Sequence, residues 1–102
     1  MAYIVIVKQE AIEDAVEAYE YYETKQPGLG ERFLEALTKR YSHLSLHPSH
    51  YSFIEEDSLN ILRDVRLEKF PYVVVFELTS SEVIVYAIIN MRRNPLRKIR
   101  ER

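Results

Sequence analysis

The N-terminal half of the chain begins with a short β-branched run and continues with two stretches of helical periodicity. Residues 2–8 are rich in Tyr, Ile and Val, which predicts a strand buried on both faces or nearly so. Over residues 10–25, apolar side chains recur at i, i+3, i+4 and i+7 and glutamates cover the other face, which predicts an amphipathic helix. A second apolar stripe predicts a helix over residues 29–46. Because only a short break containing Pro27-Gly28 separates them, the two helices should form an antiparallel hairpin.

The C-terminal half changes to a period of two. After a polar loop over residues 48–60, a charged segment predicts an exposed strand over residues 61–69. Two β-branched and apolar segments then predict strands over residues 72–79 and 82–90. Ser80-Ser81 is the turn between the last two strands, which should pair as a hairpin at the centre of the sheet. The order β-αα-βββ predicts an α+β fold of two layers, in which a four-stranded, antiparallel-rich sheet carries the helix hairpin on one face.

The apolar stripes also predict the core. With both helices on one face of the sheet, the side chains expected to be buried are Tyr19, Tyr22, Phe33, Leu37, Tyr41, Leu44, Val74, Phe76, Ile84 and Tyr86. Asn94-Pro95 should end the last strand, and residues 96–102 could form one or two helical turns.

Length and composition indicate one globular domain, residues 1–102. Hydrophobic residues make up 47% of the chain and only 2 residues are Gly, which excludes collagen-like, low-complexity and disordered chains. The absence of Cys excludes disulfides, thiolate nucleophiles and Cys-type zinc sites. The start has no secretory signal and no apolar run approaches the ~20 residues of a membrane span, so we expect a cytoplasmic protein that does not associate with membranes.

The charge is distributed unevenly along the chain. The net charge is −2, yet residues 1–57 carry 11 acids against 5 bases and residues 58–102 carry 9 bases against 5 acids. Several of these bases lie on or just after predicted strands that share one sheet, and they should meet at one rim: Arg63, Arg66, Lys69, Arg92 and Arg93. Clustered cations repel, so such a rim is typical of a surface that binds an anionic partner. The alternative is that Asp64 and Glu68 neutralise Arg66 and Lys69.

Other patterns that could carry chemistry have simpler interpretations. His43, His47 and His50 have spacings that zinc ligands can adopt, but no HExxH motif or carboxylate accompanies them, so we expect ordinary helix-end histidines and no metal or other cofactor. Gly28-Leu29-Gly30 lies between two helices instead of after a strand, which predicts a helix stop and restart and not a phosphate loop.

Five segments in chain order resemble the RelE/ParE superfamily of toxins from type II toxin–antitoxin modules. The Ala- and Tyr-rich sequence of the first predicted helix, residues 11–22, resembles its "eAyeYYe" segment, and residues 27–34 resemble its "pGLGerFl". His47-Pro48-x-x-Tyr51 is similar to its "P-x-x-Y". Residues 63–72 resemble the "R-x3-L-x-K-FPY" of the ParE-like, plasmid-stabilisation branch, and Arg93-Asn94-Pro95 resembles the closing "R-x-P". The resemblance covers nearly the whole chain and implies the same β-αα-βββ order.

The resemblance implies a small toxin neutralised by a cognate antitoxin, which wraps an acidic segment over it and binds operator DNA on behalf of the pair. RelE-like members cut mRNA on the ribosome, whereas ParE-like members inhibit DNA gyrase. This chain departs from the nuclease pattern, because Asn90 stands where the family often has His, Val73 where nucleases often have Arg, and residues 91–102 contain no Tyr or His.

Three functions remain open at this point. The favoured one is a ParE-like toxin that acts by binding and needs no catalytic residue. The second is an endoribonuclease, in which Arg63, Lys69 and Arg93 would stabilise the phosphorane while Tyr51, Tyr86 or His50 served as a poor proton-transfer group. The third is a degenerate member that only partners an antitoxin. Besides the five cations, Tyr51, Tyr86 and Asn90 are additional candidates for the site.

Overall fold

The computed structural model of the chain describes residues 2–55 and 57–92. Its elements are β1 (Ile4–Val7), α1 (Gln9–Lys25), α2 (Leu29–Leu46), a 3₁₀ turn (Pro48–His50), β2 (Leu62–Arg66), β3 (Tyr72–Leu78) and β4 (Glu82–Asn90). Every predicted element within this part of the chain is present. β1 is not buried on both faces as predicted, because it is an edge strand in which Ile4 is exposed and residues 5–7 are half-buried. β2 is shorter than predicted, because the residues after Arg66 already belong to the turn into β3. The helical turns predicted over residues 96–102 lie outside the described residues.

The four strands form one mixed sheet in the order β1-β4-β3-β2. β3 pairs antiparallel with both β4 and β2, whereas β1 runs parallel to β4. The β3–β4 hairpin is therefore central, as predicted. Both helices pack on one face of the sheet, here called the inner face, where Phe33, Leu37 and Leu44 of α2 join Val74 and Phe76 of β3 in the core. This two-layer arrangement confirms the predicted α+β fold.

A β-bulge in β4 makes part of the predicted core wrong. Val75 pairs with Ala87 and Phe76 with Val85, so Tyr86 is an extra residue in the ladder. The bulge inverts the alternation along β4, and its inner face carries Val83, Val85 and Ile88 in place of the predicted Ile84 and Tyr86. Both of those residues are half-buried, and Ile84 pairs with Glu77, which alternates with the core residue Phe76 on β3.

The predicted tyrosines of the helices are also less buried than expected. Tyr19, Tyr22 and Tyr41 are half-buried, whereas Ala11 and Ala18 of α1 are fully buried. Small side chains let α1 approach the sheet closely, and the larger tyrosine rings are left only partly covered. Within the described residues, neither helix is both long enough and apolar enough to cross a membrane.

One buried carboxylate ties α1 to the sheet. Asp14 is 7% exposed, and its Oδ2 accepts a hydrogen bond from the backbone N–H of Ile88 at 3.0 Å. β1 pairs with β4 only from Glu82 to Val85, so the later N–H groups on that side of β4 have no strand to donate to. The Asp14 side chain supplies the missing acceptor for one of them.

The connection between the helices combines one left-handed residue with one very close contact. Gly28 has a φ of +89°, which an L-residue adopts only with strain. A Cβ on Gly30 would lie 2.7 Å from the backbone oxygen of Tyr19. The N–H groups of both glycines donate to Oε1 of Glu23, at 2.9 Å and 2.8 Å. This is the predicted helix stop and restart, and the protein uses these donors itself.

Candidate binding site: a basic rim at one end of the sheet

Three elements meet at one end of the sheet. The register pairs Arg66 with Val73 and Tyr72 with Asn90, so the end of β2, the start of β3 and the end of β4 lie together. A cavity of about 500 Å³ opens there, and its walls combine three cations with apolar side chains: Arg66, Lys69 and Arg92 with Leu67, Phe70, Pro71, Tyr72 and Met91. We call Arg66, Lys69 and Arg92 the basic rim. The structure thus brings together three of the five predicted cations.

The turn between β2 and β3 is fixed by backbone hydrogen bonds. The N–H of Leu67 donates to the carbonyl oxygen of Tyr72 at 3.0 Å, and the N–H of Tyr72 donates to that of Phe70 at 2.8 Å. The carbonyl of Pro71 accepts from the N–H of Met91 at 2.8 Å, which joins the turn to the end of β4. Lys69 has a φ of +69°, a left-handed conformation that costs a non-glycine residue roughly 1–2 kcal/mol.

The rim cations are not neutralised by the carboxylates that lie near them in sequence. In residues 2–55 and 57–92 the structure has one ion pair, between Lys39 Nζ and Glu68 Oε2 at 3.2 Å. Glu68 therefore pairs with α2, and the alternative in which it neutralises Lys69 is wrong. Arg66 likewise has no carboxylate at ion-pair distance in that part of the chain. The rim keeps its positive charge available to a ligand.

Arg63 lies apart from the rim. Its Nη1 donates to the carbonyl oxygen of Tyr51 at 2.7 Å, and its guanidinium carbon lies 4.1 Å from the ring centroid of Phe53. Phe53 also forms an isolated antiparallel bridge with Arg63. The Nε atom of Arg63 is buried with no hydrogen-bond partner. These contacts hold the segment before β2 against the edge of the sheet. Arg93, the fifth predicted cation, lies outside the described residues.

Asn90 holds the backbone at one residue of the basic rim in place. Its Oδ1 accepts a hydrogen bond from the backbone N–H of Arg92 at 2.9 Å, and its Nδ2 lies 3.4 Å from the hydroxyl of Tyr72. Asn90 thus fixes the backbone that carries one rim cation. Arg92 also lies close enough to Tyr22 to lower the pKa of that hydroxyl, although burial has the larger effect and the pKa of Tyr22 is raised.

Tyr86 lies on the outer face of the sheet, opposite the helices. Its hydroxyl donates to Oε1 of Glu77 at 2.7 Å, and this hydrogen bond raises the pKa of Tyr86 to about 12. Both side chains line a separate cavity of about 300 Å³ together with Val75 and Ala87. Tyr86 is absent from the residues that line the rim cavity.

Tyr51 belongs to a polar cluster at the end of α2. Its hydroxyl lies 2.6 Å from Nδ1 of His43 and 3.4 Å from Nη1 of Arg40. Arg40 also donates from Nε to the carbonyl oxygen of Arg66 at 2.8 Å and so connects this cluster to the end of β2. No sequence pattern marks Arg40 for this role, because its partners come from β2 and the loop. In the described part of the chain, no three His, Asp or Glu side chains are placed to hold a metal ion.

Another cavity, of about 530 Å³, lies beside the turn between β2 and β3, on the side of α2. Unlike the rim cavity, it is lined by carboxylates as well as cations: Leu29, Arg32, Glu35, Ala36, Lys39, Glu68, Lys69 and Phe70. Lys69 and Phe70 line both cavities. The Phe70 ring packs on Tyr22 and Phe33, with centroid distances of 5.0 Å and 5.5 Å. The turn therefore forms a ridge between the two cavities, in which Phe70 is packed on the aromatic core and Lys69 carries the charge.

The chemistry of the rim is that of binding. Arginine stays protonated at physiological pH, so Arg66 and Arg92 can neutralise an anion but cannot accept a proton. The titratable pair of His43 and Tyr51 lies in the α2 cluster and lines neither of the two cavities beside the turn. The arrangement is suited to holding carboxylate or phosphate groups.

Comparison with known proteins agrees with this architecture. A family model described as the ParE toxin of the type II toxin–antitoxin system parDE matches residues 5–95. A solved structure described as the chromosomal ParDE TA system from P. aeruginosa superposes with a TM-score of 0.75, covering 87% of this chain and 96% of that chain. The two sequences are 14% identical, so this likeness concerns the fold. No curated protein matches the chain.

Proposed function

Because the chain belongs to the ParE toxin family of type II toxin–antitoxin systems, we propose that it is a toxin that acts by binding a large cellular target of the DNA gyrase class. In this proposal the basic rim docks on an anionic surface of the target, and a cognate antitoxin neutralises the toxin. The observation that supports it is the convergence of Arg66, Lys69 and Arg92 on one cavity without carboxylate partners in the described residues.

The energetics of the rim favour an external anion. Three cations at one end of a small sheet repel one another, and an isolated domain gains nothing from that arrangement. Arg66 and Arg92 can each form two parallel hydrogen bonds with a carboxylate or phosphate, which gives direction as well as affinity. The turn and Asn90 hold the backbone beneath these cations, so less conformational entropy is lost on binding.

At several positions the chain differs from the pattern of the ribonuclease members, and the contacts of the residues there favour binding over RNA cleavage. Val73 is buried on the outer face and pairs with Arg66, and Asn90 is engaged with the backbone of Arg92. Tyr51 is hydrogen-bonded within the α2 cluster, and Tyr86 donates to Glu77. Positioned acid–base groups contribute about 10²–10⁴-fold to such reactions. A site without them is better suited to docking than to cleavage.

For the antitoxin we propose the helix hairpin as a second contact surface. Ile12 and Val16, four residues apart on one side of α1, are 44% and 51% exposed, and Leu34 of α2 is 38% exposed. Apolar side chains at helical spacing on a surface suit an amphipathic segment of a partner. An antitoxin whose acidic part reaches the rim and whose apolar part covers these residues would use both surfaces at once.

The decisive experiment separates binding from cleavage. The toxin is expressed alone, and growth, gyrase supercoiling in vitro and primer extension on a reporter mRNA with and without ribosomes are measured. We expect growth inhibition without ribosome-dependent cleavage. The double variant Arg66→Glu/Arg92→Glu should lose the inhibition, whereas Lys8→Glu, at an exposed lysine outside the rim cavity, should retain it.

Two results would contradict the proposal. Reproducible mRNA cleavage in the ribosomal A site would favour the endoribonuclease. Full toxicity of the double variant, with its fold confirmed by circular dichroism, would show that the rim does not contact the target. Inhibition of growth without any effect on gyrase would move the target to another class while leaving the binding mechanism in place.

A further inference from the structure

The backbone N–H groups of the turn between β2 and β3 divide into those with and those without an acceptor among the described residues. The N–H groups of Glu68, Lys69 and Phe70 have no acceptor in the described part of the chain. Their neighbours are accounted for, because Leu67 donates to Tyr72, Tyr72 donates to Phe70, and Pro71 has no N–H. Glu68 and Lys69 are exposed, so the N–H groups at this turn lie where a ligand can reach them.

The turn contains one residue in the left-handed conformation. Lys69 has a φ of +69°. In a turn that contains a left-handed residue, successive N–H groups face one side and form a small concavity that attracts anions. A glycine or asparagine would adopt this conformation at lower cost than a lysine. The side chain at this position is therefore retained at the expense of backbone strain, which points to a role for its charge.

Two other turns of the same protein show that backbone N–H groups beside a left-handed residue bind carboxylates. The described residues with a positive φ are Gly28, Asn60 and Lys69. Next to Gly28, the Glu23 carboxylate accepts two backbone N–H groups. Around Asn60, the Asp57 carboxylate accepts the N–H groups of residues 59, 61 and 62, two of them at 2.7 Å. At each of these two turns an internal carboxylate accepts the N–H groups, whereas those of residues 68–70 have no acceptor among residues 2–55 and 57–92.

We propose that the N–H groups of residues 68–70, together with Lys69, Arg66 and Arg92, form a binding site for one carboxylate of an acidic peptide. The proposal rests on the function proposed above and names the contact through which a protein partner reaches the rim. Lys69 lies between the two cavities beside the turn, so a peptide crossing this ridge would place its neighbouring side chains in them.

The walls of the site favour a peptide over a nucleic acid. Pro71 and Met91 are half-buried and give apolar surface, which suits amino-acid side chains. Single-stranded nucleic acids bind through stacking of bases on aromatic faces. The rings here are committed to the core, because Tyr72 is buried and lies 5.1 Å from Phe33 between ring centroids.

A peptide titration tests the site directly. The full ¹⁵N-labelled chain is titrated with an acetylated, amidated pentapeptide Asp-Leu-Glu-Leu-Asp at constant ionic strength. We expect saturable amide shifts that are largest at residues 68–70, and no saturable shift with the Asn-Leu-Gln-Leu-Asn counterpart. Equal shifts with both peptides would overturn the proposal, and so would shifts spread over the surface. Tighter binding of a single-stranded oligonucleotide at these amides would overturn the assignment to peptide carboxylates.

The variant Lys69→Gly separates the side chain from the backbone site. Glycine keeps the left-handed turn and its N–H groups, so the protein should fold while its affinity for the acidic peptide falls roughly tenfold, the effect of one charge-assisted contact. Lys25→Ala is the matched control and should bind the peptide normally. Unchanged affinity in Lys69→Gly would remove Lys69 from the site. Because the titration needs neither gyrase nor toxicity, the proposed function can fail while this site stands, and the reverse also holds.

Discussion

The joint between α1 and α2 and the turn between β2 and β3 both contain a left-handed residue, but they differ in which residue it is and in whether the nearby N–H groups have an acceptor. Each reverses the chain with one left-handed residue, Gly28 at +89° and Lys69 at +69°. The joint uses the residue that adopts this φ without strain, and Glu23 accepts the exposed N–H groups. The turn uses a strained lysine, and the N–H groups of residues 68–70 have no acceptor in the described part of the chain. In our proposal, the joint is complete within the domain, whereas the turn is completed by a carboxylate of a ligand.

The largest expected effect tests how tightly the joint is built. Gly30→Ala should destabilise the protein by about 3 kcal/mol, since its Cβ would lie 2.7 Å from the Tyr19 backbone oxygen and the helices would have to separate. Helix propensity alone would favour Ala here by about 1 kcal/mol. Urea unfolding followed by circular dichroism measures the change.

Gly28→Ala is the matched control for that variant. No heavy atom lies within 4 Å of its added Cβ, so it should cost only the left-handed strain, roughly 1–2 kcal/mol. Equal losses in the two variants would mean that the close helix contact contributes nothing beyond backbone strain.

Removal of the acceptor at the joint should have a smaller effect. Glu23→Ala leaves the N–H groups of Gly28 and Gly30 without their carboxylate, which should lower the free energy of unfolding by about 1–2 kcal/mol. Glu23→Gln keeps an oxygen acceptor and should lose less. Glu20→Ala, on the exposed side of the same helix, should change little, and a loss as large as that of Glu23→Ala would contradict the capping role.

The turn should respond in the opposite direction. Lys69→Gly should leave the free energy of unfolding unchanged or raise it by up to about 1 kcal/mol, because relief of the left-handed strain outweighs the extra entropy of glycine in the unfolded chain. The same unfolding experiment measures it. A clear loss of stability would show that the lysine side chain supports the fold, and the contrast with the joint would disappear.

The smallest effect concerns pH. Backbone hydrogen bonds from Leu62 and Ile61 hold the pKa of Asp57 below its ordinary value of 3.8. The folded state therefore binds the proton less readily than the unfolded state, and Asp57 stabilises the protein fully above the unfolded pKa. This contribution is lost as the pH falls through the folded pKa, below about pH 4. Asp57→Asn should flatten the acid limb of a stability–pH curve, and an unchanged limb would contradict this role.

Sequence patterns were sufficient for the elements because the forces that define them are local. Apolar spacing places α2 at Leu29–Leu46 and β4 at Glu82–Asn90 without reference to the rest of the chain. The convergence of Arg66, Lys69 and Arg92 was also predictable, because strands of one antiparallel sheet bring known ends together. Arg63 could not be separated from this group in advance, since its contacts with Tyr51 and Phe53 depend on the path of the preceding loop.

The sequence by itself determined the order of elements, the central hairpin and the sign of charge at the rim. Only the tertiary structure decided which face each residue of β4 occupies, because the bulge at Tyr86 arises from pairing with β3 and leaves no local signal. It also decided that Asp14 reaches Ile88 and that Glu68 turns to Lys39. A carboxylate binds whichever donor the fold brings near it, and distance along the chain does not encode that choice.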